Sequence, residues 1–298
     1  MNIIKHRKIF LSFSSLLVLV SIAAIAVFGL KPGIDFAGGA LWQIKLATDY
    51  GLQTTGNLKY FFENDLSVKN IMIFPAENNG FLIRMSHISE EQHQQYLQSL
   101  KNKFGEVEEL RFEGIGPTIG KALKQKAVWA IILVILGISL YITFAFRKVS
   151  YPIKSWKYGV ITLITLFHDV MIPAGLLAIL GWRLGVEIDT NFVVALLVVM
   201  GFSIHDTIVV FDRIRENLLL QKNRLDLPVI INDSINQTIA RSINTSLTLV
   251  LTLLALFFFG PTALKYFILT ILVGTVIGTY SSIFVASPLL LYFGYSKK

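Results

Sequence analysis

The chain has 298 residues, of which 54% are hydrophobic and 15% are charged, and its formal net charge is +8. Soluble domains carry about 25% charged residues, so this composition excludes an ordinary soluble protein. Cysteine is absent, which excludes disulfide bonds and thiolate metal sites. The five histidines show no metal-ligand spacing, and we expect neither a metal nor a cofactor.

Six long apolar segments predict six membrane-spanning helices, because about 20 apolar residues cross a hydrocarbon core of roughly 30 Å. Four segments contain no Asp, Glu, Lys or Arg, and two contain one acid each. The segments cover residues 9–30, 127–146, 158–182, 190–211, 242–264 and 266–296. The first is too long for a typical signal-peptide core and lacks an A-x-A-like cleavage site, so we predict a retained span. In the sixth, Gly274, Gly278 and Ser281 predict close helix packing.

Basic residues mark every second loop between the predicted spans, and they also precede span one and end the chain. Because Lys and Arg near span ends stay cytoplasmic, both termini and a helical loop at residues 212–240 are predicted to face the cytoplasm. The basic residues flank spans and do not form one groove or helix face. They therefore indicate attraction to anionic lipid headgroups, and not nucleic-acid binding.

The predicted domains are residues 1–30 with span one, residues 31–126 as a folded domain on the outer side, and residues 127–298 with spans two to six. The outer segment is neutral, with 11 basic and 11 acidic residues. Its pattern predicts strands at 41–46, 68–74, 81–85 and 108–112, helices at 54–65 and 89–104, and a turn at 77–80. Ser89 and Gln92 predict a capping box.

The order of these elements is β-α-β-β-α-β, which predicts an α+β ferredoxin-like domain. No nucleophile, base and orienting group come together in the pattern. We therefore predict a binding or lever module, and not an enzyme.

Two of the predicted spans contain an acid at hydrocarbon depth. An ionised Asp at the centre of a span costs about 2.5–3.5 kcal/mol on insertion scales, so such an acid is a functional candidate. Asp169 lies in span three and Asp206 in span four. Pro173, four residues after Asp169, leaves a helix carbonyl without its donor and predicts a bend. A structural acid, hydrogen-bonded between helices, is the alternative interpretation of both aspartates.

Asp206 needs either a proton or a partner, and Arg241 at the start of span five is the nearest basic residue at similar depth. A polar stripe continues from Arg241, and we predict that it lines a wet seam opposite Asp206. The stripe comprises Asn244, Thr245, Thr248 and Thr252. An approaching Arg favours the ionised carboxylate and burial favours the protonated form, so movement of Arg241 would load or release a proton. The alternative is that Arg241 only extends to the lipid headgroups.

Five motifs in order resemble the SecF branch of the SecD/SecF family, over nearly the full length of the chain. The segment GIDFAGG at residues 33–39 follows span one, and GPTIG at 116–120 precedes span two. Span three contains HDV at 168–170, and span five opens with RSINTS at 241–246. The longest match, GFSIHDTIVVFDRIREN at 201–217, passes through span four.

The resemblance implies a six-helix transmembrane bundle with a periplasmic ferredoxin-like domain. Such a bundle is half of a pseudo-symmetric twelve-helix, transporter-like body of the resistance-nodulation-division superfamily. The implied partners are SecD, the SecYEG channel, the translocating preprotein, the lipid bilayer and protons. The implied function is use of the proton motive force in late steps of preprotein translocation across the bacterial inner membrane.

The resemblance assigns proton coupling to Asp206 and Arg241, and we add Asp169 and His205 as candidates. His205 stands where the family pattern has Asn, and an imidazole titrates near neutral pH. Two glycine-rich segments connect the outer domain to spans one and two. Because glycine tolerates large changes in φ and ψ, we predict hinges there, with a tight turn without motion as the alternative. The predicted hinge residues are Gly38, Gly39, Gly116 and Gly120.

Three other functions stay open on the residues alone. A small-molecule exporter of the resistance-nodulation-division type needs two outer domains and a large cavity, whereas this chain has one small domain. An intramembrane aspartyl protease would use Asp169 and Asp206, but the Gly-x-Gly-Asp signature is absent around Asp206. A passive scaffold would not need Asp206 at all.

Overall fold

The structure is a computed structural model that describes residues 2–47, 54–68, 71–76, 79–147, 153–221 and 226–294. The chain divides into two compact units. The first, which we call the membrane unit, comprises Met1–Lys31 and Val128–Lys298. The second, which we call the sheet domain, comprises Pro32–Ala127.

Within the described residues, six helices are long and apolar enough to cross a membrane, which confirms the predicted six-helix bundle. The first five are α1 (Arg7–Phe28), α5 (Pro117–Ala145), α6 (Ser155–Leu184), α7 (Thr190–Gln221) and α8 (Leu227–Phe259). The sixth span consists of α9 (Lys265–Ser281), a π-helical segment (Ser282–Ala286) and α10 (Ser287–Gly294). Short 3₁₀ turns precede two of the spans, at Ile4–His6 and Thr262–Leu264.

Close helix approaches in the membrane unit depend on glycine. A side chain at Gly274 of α9 would overlap Val199 of α7 at 2.2 Å, and one at Gly278 would lie 3.0 Å from Ser203 Cβ. A side chain at Gly175 of α6 would lie 2.4 Å from Cβ of Ser21 in α1. The prediction of close packing at Gly274 and Gly278 is therefore confirmed, and small residues set the helix spacing, as is usual in membranes.

The sequence predicted a helical loop at residues 212–240 and a bend at Pro173. The predicted helical loop at 212–240 consists of the end of α7 and the start of α8, with residues 222–225 outside the described part. The polar ends are therefore helical extensions of spans four and five. α6 continues through Pro173, and the bend at that position stays a prediction.

The sheet domain has four strands and three helices among its described residues. The strands are β1 (Gly39–Leu46), β2 (Met72–Ala76), β3 (Gly80–Met85) and β4 (Val107–Ile115). The helices are α2 (Ile34–Ala37), α3 (Thr54–Tyr60, continued by a π-turn at Phe61–Asp65) and α4 (Glu90–Phe104). The sheet order is β2-β3-β1-β4 and all neighbours are antiparallel, which confirms the ferredoxin-like arrangement.

Local sequence signals explain most of these elements. The side chains at alternate positions of β1, including Trp42 and Ile44, are fully buried against the two longer helices. Ser89 and Gln92 form the predicted capping box at the start of α4. The predicted second strand begins at Met72 and not at residue 68. The predicted turn at 77–80 falls partly outside the described residues, since 77 and 78 are not among them.

A buried polar cluster joins α4 to the sheet. His93 Nε2 lies 2.7 Å from Glu109 Oε2, and the Trp42 indole N–H donates to the same oxygen at 2.9 Å. On the solvent side, hydrogen bonds from Gln94 and His93 hold the pKa of the Glu90 carboxyl below its usual value. The cluster satisfies each buried polar group and so fixes the position of the helix on the sheet.

Three of the four predicted hinge glycines lie in tightly packed parts of the sheet domain. Gly38 and Gly39 have φ of +75° and +134°, and a Cβ at Gly39 would lie 2.8 Å from the Met85 carbonyl oxygen. A Cβ at Gly120 would lie 3.0 Å from the Gly38 nitrogen, whereas one at Gly116 would meet nothing within 4 Å. Tight turning and close approach account for glycine at positions 38, 39 and 120. Hinge motion stays a prediction.

We predict that Gly175→Ala destabilises the membrane unit, because the added Cβ lies 2.5 Å from the Ser21 Cα. Overpacking of this kind costs about 1–3 kcal/mol. Thermal and denaturant-induced unfolding of the purified chain in detergent micelles would measure the loss. Gly137→Ala in α5 is the matched control, since its Cβ would meet no atom within 4 Å. Equal stability of the two variants would contradict the packing account.

Candidate functional site

Asp206 lies within the bundle near the middle of α7. It is 16 residues, or about 24 Å, from the start of α7 at Thr190. Its side chain is buried, with 5% of the residue exposed. The Ser282 hydroxyl donates to Asp206 Oδ2 at 2.7 Å. Ser242 of α8 lies beside the same carboxyl, and its buried hydroxyl has no hydrogen-bond partner among the described residues.

Asp169 of α6 is more completely enclosed, with 0% exposed. Its Oδ1 lies 2.8 Å from Nδ1 of His168. Its Oδ2 accepts hydrogen bonds from Ser281 at 2.8 Å and from Ser203. Donors from α6, α7 and α9 therefore converge on one carboxyl, which matches the interpretation of a structural acid between helices.

Two consecutive residues of the sixth span, Ser281 and Ser282, each bond to one of the two acids. Ser281 is the last residue of α9 and Ser282 the first of the π-helical segment. Ser281 bonds to Asp169, and Ser282 bonds to Asp206. The structure thus links the two acids through a serine pair and not through direct contact.

His205 and Arg241 are both exposed on the surface of this chain. Among the described residues, neither forms a hydrogen bond or ion pair with Asp206. Arg241 instead borders a polar cavity of about 360 Å³, which Asp212 and Glu216 of α7 also line. Those two acids are paired with other arginines, Asp212 with Arg215 at 3.5 Å and Glu216 with Arg213 at 2.6 Å.

The prediction that the polar stripe of α8 lies opposite Asp206 is wrong for this structure. Ser242 and Ser246 point into the bundle, whereas Arg241 and the rest of the stripe are exposed. Thr248 and Thr252 donate to carbonyls of their own helix. Helical spacing correctly placed the stripe on one face, but it could not show that a second, serine-bearing face is the inward one.

The sequence analysis missed the serines that hold the acids. Their signal was weak: Ser203, Ser242 and Ser282 are small polar residues that also serve close packing in any span. Among the described residues, no group of three or more His, Asp or Glu side chains is placed to hold a metal ion.

We predict that Asp169→Ala destabilises the chain more than Asp206→Ala. The first change leaves His168 and Ser203 without their acceptor, whereas after the second Ser282 keeps the Thr279 carbonyl oxygen. A buried donor left without an acceptor costs about 1–3 kcal/mol. Unfolding of both variants by denaturant in micelles would rank them. A larger loss for Asp206→Ala would contradict this account of the two sites.

The family comparison matches residues 95–296 to "Protein export membrane protein SecD/SecF, C-terminal" and residues 23–49 to the "SecD/SecF GG Motif". A protein translocase subunit SecF from Thermobaculum terrenum is 43% identical over 300 residues, covering 97% of this chain and 92% of the relative. The SecF subunit from Synechocystis sp. is 36% identical, with coverage of 97% and 93%.

The structural comparison agrees with the sequence comparison. A crystal structure of SecDF, a translocon-associated membrane protein from Thermus thermophilus, superposes with a TM-score of 0.82 at 32% identity. The match covers 98% of this chain and 38% of that SecDF chain. A second SecDF structure, in a super-membrane-facing form, gives a TM-score of 0.69. The chain therefore belongs to the SecD/SecF family of protein export membrane proteins, among relatives named protein translocase subunit SecF.

Proposed function

We propose that this chain is the SecF-type half of a SecD/SecF pair that uses the proton motive force to drive late steps of preprotein translocation. The pair works in the bacterial inner membrane beside the SecYEG channel. Both termini face the cytoplasm and the sheet domain lies in the periplasm. The observation that supports the proposal most is the buried Asp206 carboxyl, which accepts one serine hydrogen bond at 2.7 Å in the middle of a span.

The contrast between the two acids supports Asp206 as the carboxyl that gains and loses a proton. Asp169 accepts hydrogen bonds from two serines and lies against a histidine. These contacts come from α6, α7 and α9 and fix the position of the carboxyl. Asp206 has one serine donor and a second, unpartnered hydroxyl beside it. Its surroundings leave room for both the protonated and the ionised form.

Arg241 is the proposed partner of the ionised form. It borders the polar cavity, and the next residue on α8, Ser242, lies beside Asp206. Adjacent residues on a helix point about 100° apart. Rotation of α8, or of the long Arg241 side chain, would therefore move the guanidinium between the cavity and the carboxyl. Its approach would release the proton, and its withdrawal would favour proton uptake.

The exposed polar face of the membrane unit supports a membrane-protein partner. Asn244, Thr245 and Thr248 lie on α8 within predicted span five and are exposed in this chain, as is His205 on α7. Polar side chains in spans face a bundle interior or a water-filled cavity, and not lipid tails. We propose that SecD covers this face and that the pair forms the twelve-helix body, of which the chain supplies one half.

The energy available to such a pair is large enough to move a domain. One elementary charge that crosses 100 mV gains about 2.3 kcal/mol. Through hinges at the glycine segments, this energy would bias the sheet domain between two positions. A domain that holds the emerging preprotein in one position and releases it in the other would prevent backsliding.

We predict that Asp206→Asn abolishes proton-driven late translocation while assembly with SecD persists. The amide keeps the size of the carboxyl and accepts the Ser282 hydrogen bond, but it cannot carry the proton. A preprotein chase in energised inverted vesicles would measure translocation, and co-purification would measure assembly.

Asp233→Asn is the control for that experiment, since Asp233 lies on an exposed position of α8. Normal chase with Asp206→Asn would refute proton coupling and leave a passive scaffold. Normal secretion together with drug accumulation in a deletion strain would favour a small-molecule exporter.

We also predict that a photo-crosslinker attached at Thr248→Cys captures SecD in native membranes. The chain has no cysteine, so the introduced thiol is labelled alone. Leu16→Cys on α1 is the control, because Leu16 is 58% exposed and lies on an apolar helix. Capture of lipid alone from position 248, or equal capture of SecD from both positions, would contradict the proposed interface.

A further inference from the structure

We propose that Ser281 and Ser282 are positioning residues that transmit the protonation state of Asp206 to Asp169. The inference rests on the proposed function in one respect, namely that Asp206 exchanges a proton during the working cycle. It adds the route by which Asp169 and the sixth span respond to that proton exchange. The route follows from hydroxyl groups that each have two acceptors but only one proton.

Ser282 has two hydrogen-bond acceptors within reach. Its hydroxyl lies 2.7 Å from Asp206 Oδ2 and 2.9 Å from the Thr279 carbonyl oxygen. A serine hydroxyl has one donor hydrogen and two acceptor lone pairs, so it donates to one of them at a time. When Asp206 is ionised, the hydroxyl donates to the carboxylate. When Asp206 carries a proton, the carboxyl donates to Ser282 Oγ, and Ser282 then donates to Thr279.

Ser281 has the same choice one residue earlier. Its hydroxyl lies 2.8 Å from Asp169 Oδ2 and 3.0 Å from the Gly278 carbonyl oxygen. The Gly278 oxygen also accepts the backbone N–H of Ser282. The two serines therefore share an acceptor. A change in how Ser282 is held alters the competition for the Gly278 oxygen, and with it the hydrogen bond from Ser281 to Asp169.

The backbone hydrogen bonding changes at this point. The α-helical bonding of α9 ends at Ser281, and π-helical bonding begins at Ser282. The Ser287 hydroxyl donates to the Ser282 carbonyl oxygen at 2.9 Å, across five residues. π-Helical turns within α-helices are rare and occur frequently at functional sites. The serine pair thus lies where the helix changes its bonding pattern, which is a suitable place for a small hydrogen-bond change to alter the backbone.

Few ionisable groups face this route. His205 lies next to Asp206 on α7 and is exposed, and His168 of α6 is paired with Asp169. Arg241 of α8 borders the polar cavity. On the sixth span, Tyr280 directs its hydroxyl to Phe10 at 3.1 Å, away from the acids. A response of Asp169 to Asp206 therefore depends on the serines and not on a chain of charged side chains.

Infrared difference spectroscopy on the purified full-length chain in lipid vesicles tests the route. The carboxyl bands of each acid are assigned by their disappearance in Asp206→Asn and Asp169→Asn. We expect that titration of Asp206 changes the Asp169 bands in the parent chain. In Ser282→Ala this change is lost while Asp206 still titrates, and in Ser282→Thr it returns because a hydroxyl is present again.

Ser246→Ala is the matched control. Ser246 is also buried, but its hydroxyl donates to carbonyls of its own helix at 2.7 and 3.2 Å, so the coupling should persist. Asp169 bands that still follow Asp206 in Ser282→Ala would overturn the inference, as would an Asp206 carboxyl that does not titrate. The proposed function fails on a different result, normal export by Asp206→Asn, so the two failures are distinguishable.

Discussion

Two carboxyl groups are buried at hydrocarbon depth, and the helices around them must bring donors close enough to stabilise them. Short serine side chains can do this only where backbones approach closely. Gly278 of α9 allows that approach, since a side chain there would lie 3.0 Å from Ser203. The same crossing brings Ser203 and Ser281 to Asp169. Glycine packing and acid burial are therefore one constraint, and the bundle cannot relax the first without exposing the second.

The parts of the fold with strong periodic signals were predictable from the sequence. Long uncharged segments gave the number of spans, and alternation with turn chemistry gave the order of elements in the sheet domain. The capping box at Ser89 was readable because both of its hydrogen bonds are local. The start of the second strand was not, since nothing in the sequence between Val68 and Phe74 marks that pairing with β3 begins at Met72.

The candidate site was predictable only in part, for a reason that lies in helix geometry. An ionisable residue inside an apolar segment is visible in the sequence, so Asp169 and Asp206 could be found without a structure. Their partners could not. Periodicity groups residues on a face of one helix, but it does not say which face points inward when two faces are polar. On α8 the face with Ser242 is buried and the face with Arg241 is exposed.

The exposed position of Arg241 is what the proposed proton exchange requires of the membrane unit. A chain that kept Arg241 against Asp206 at all times would hold a stable ion pair and could not exchange a proton. Here the inward face of α8 offers the carboxyl a neutral hydroxyl, Ser242, and the cation stays at a polar cavity. Under the proposed function this arrangement leaves the carboxyl free to exchange a proton, and Ser282 is the serine that donates to it. Asp169 has more hydrogen-bond contacts, with His168, Ser203 and Ser281, so we propose proton exchange at Asp206 and a response through the serine pair at Asp169.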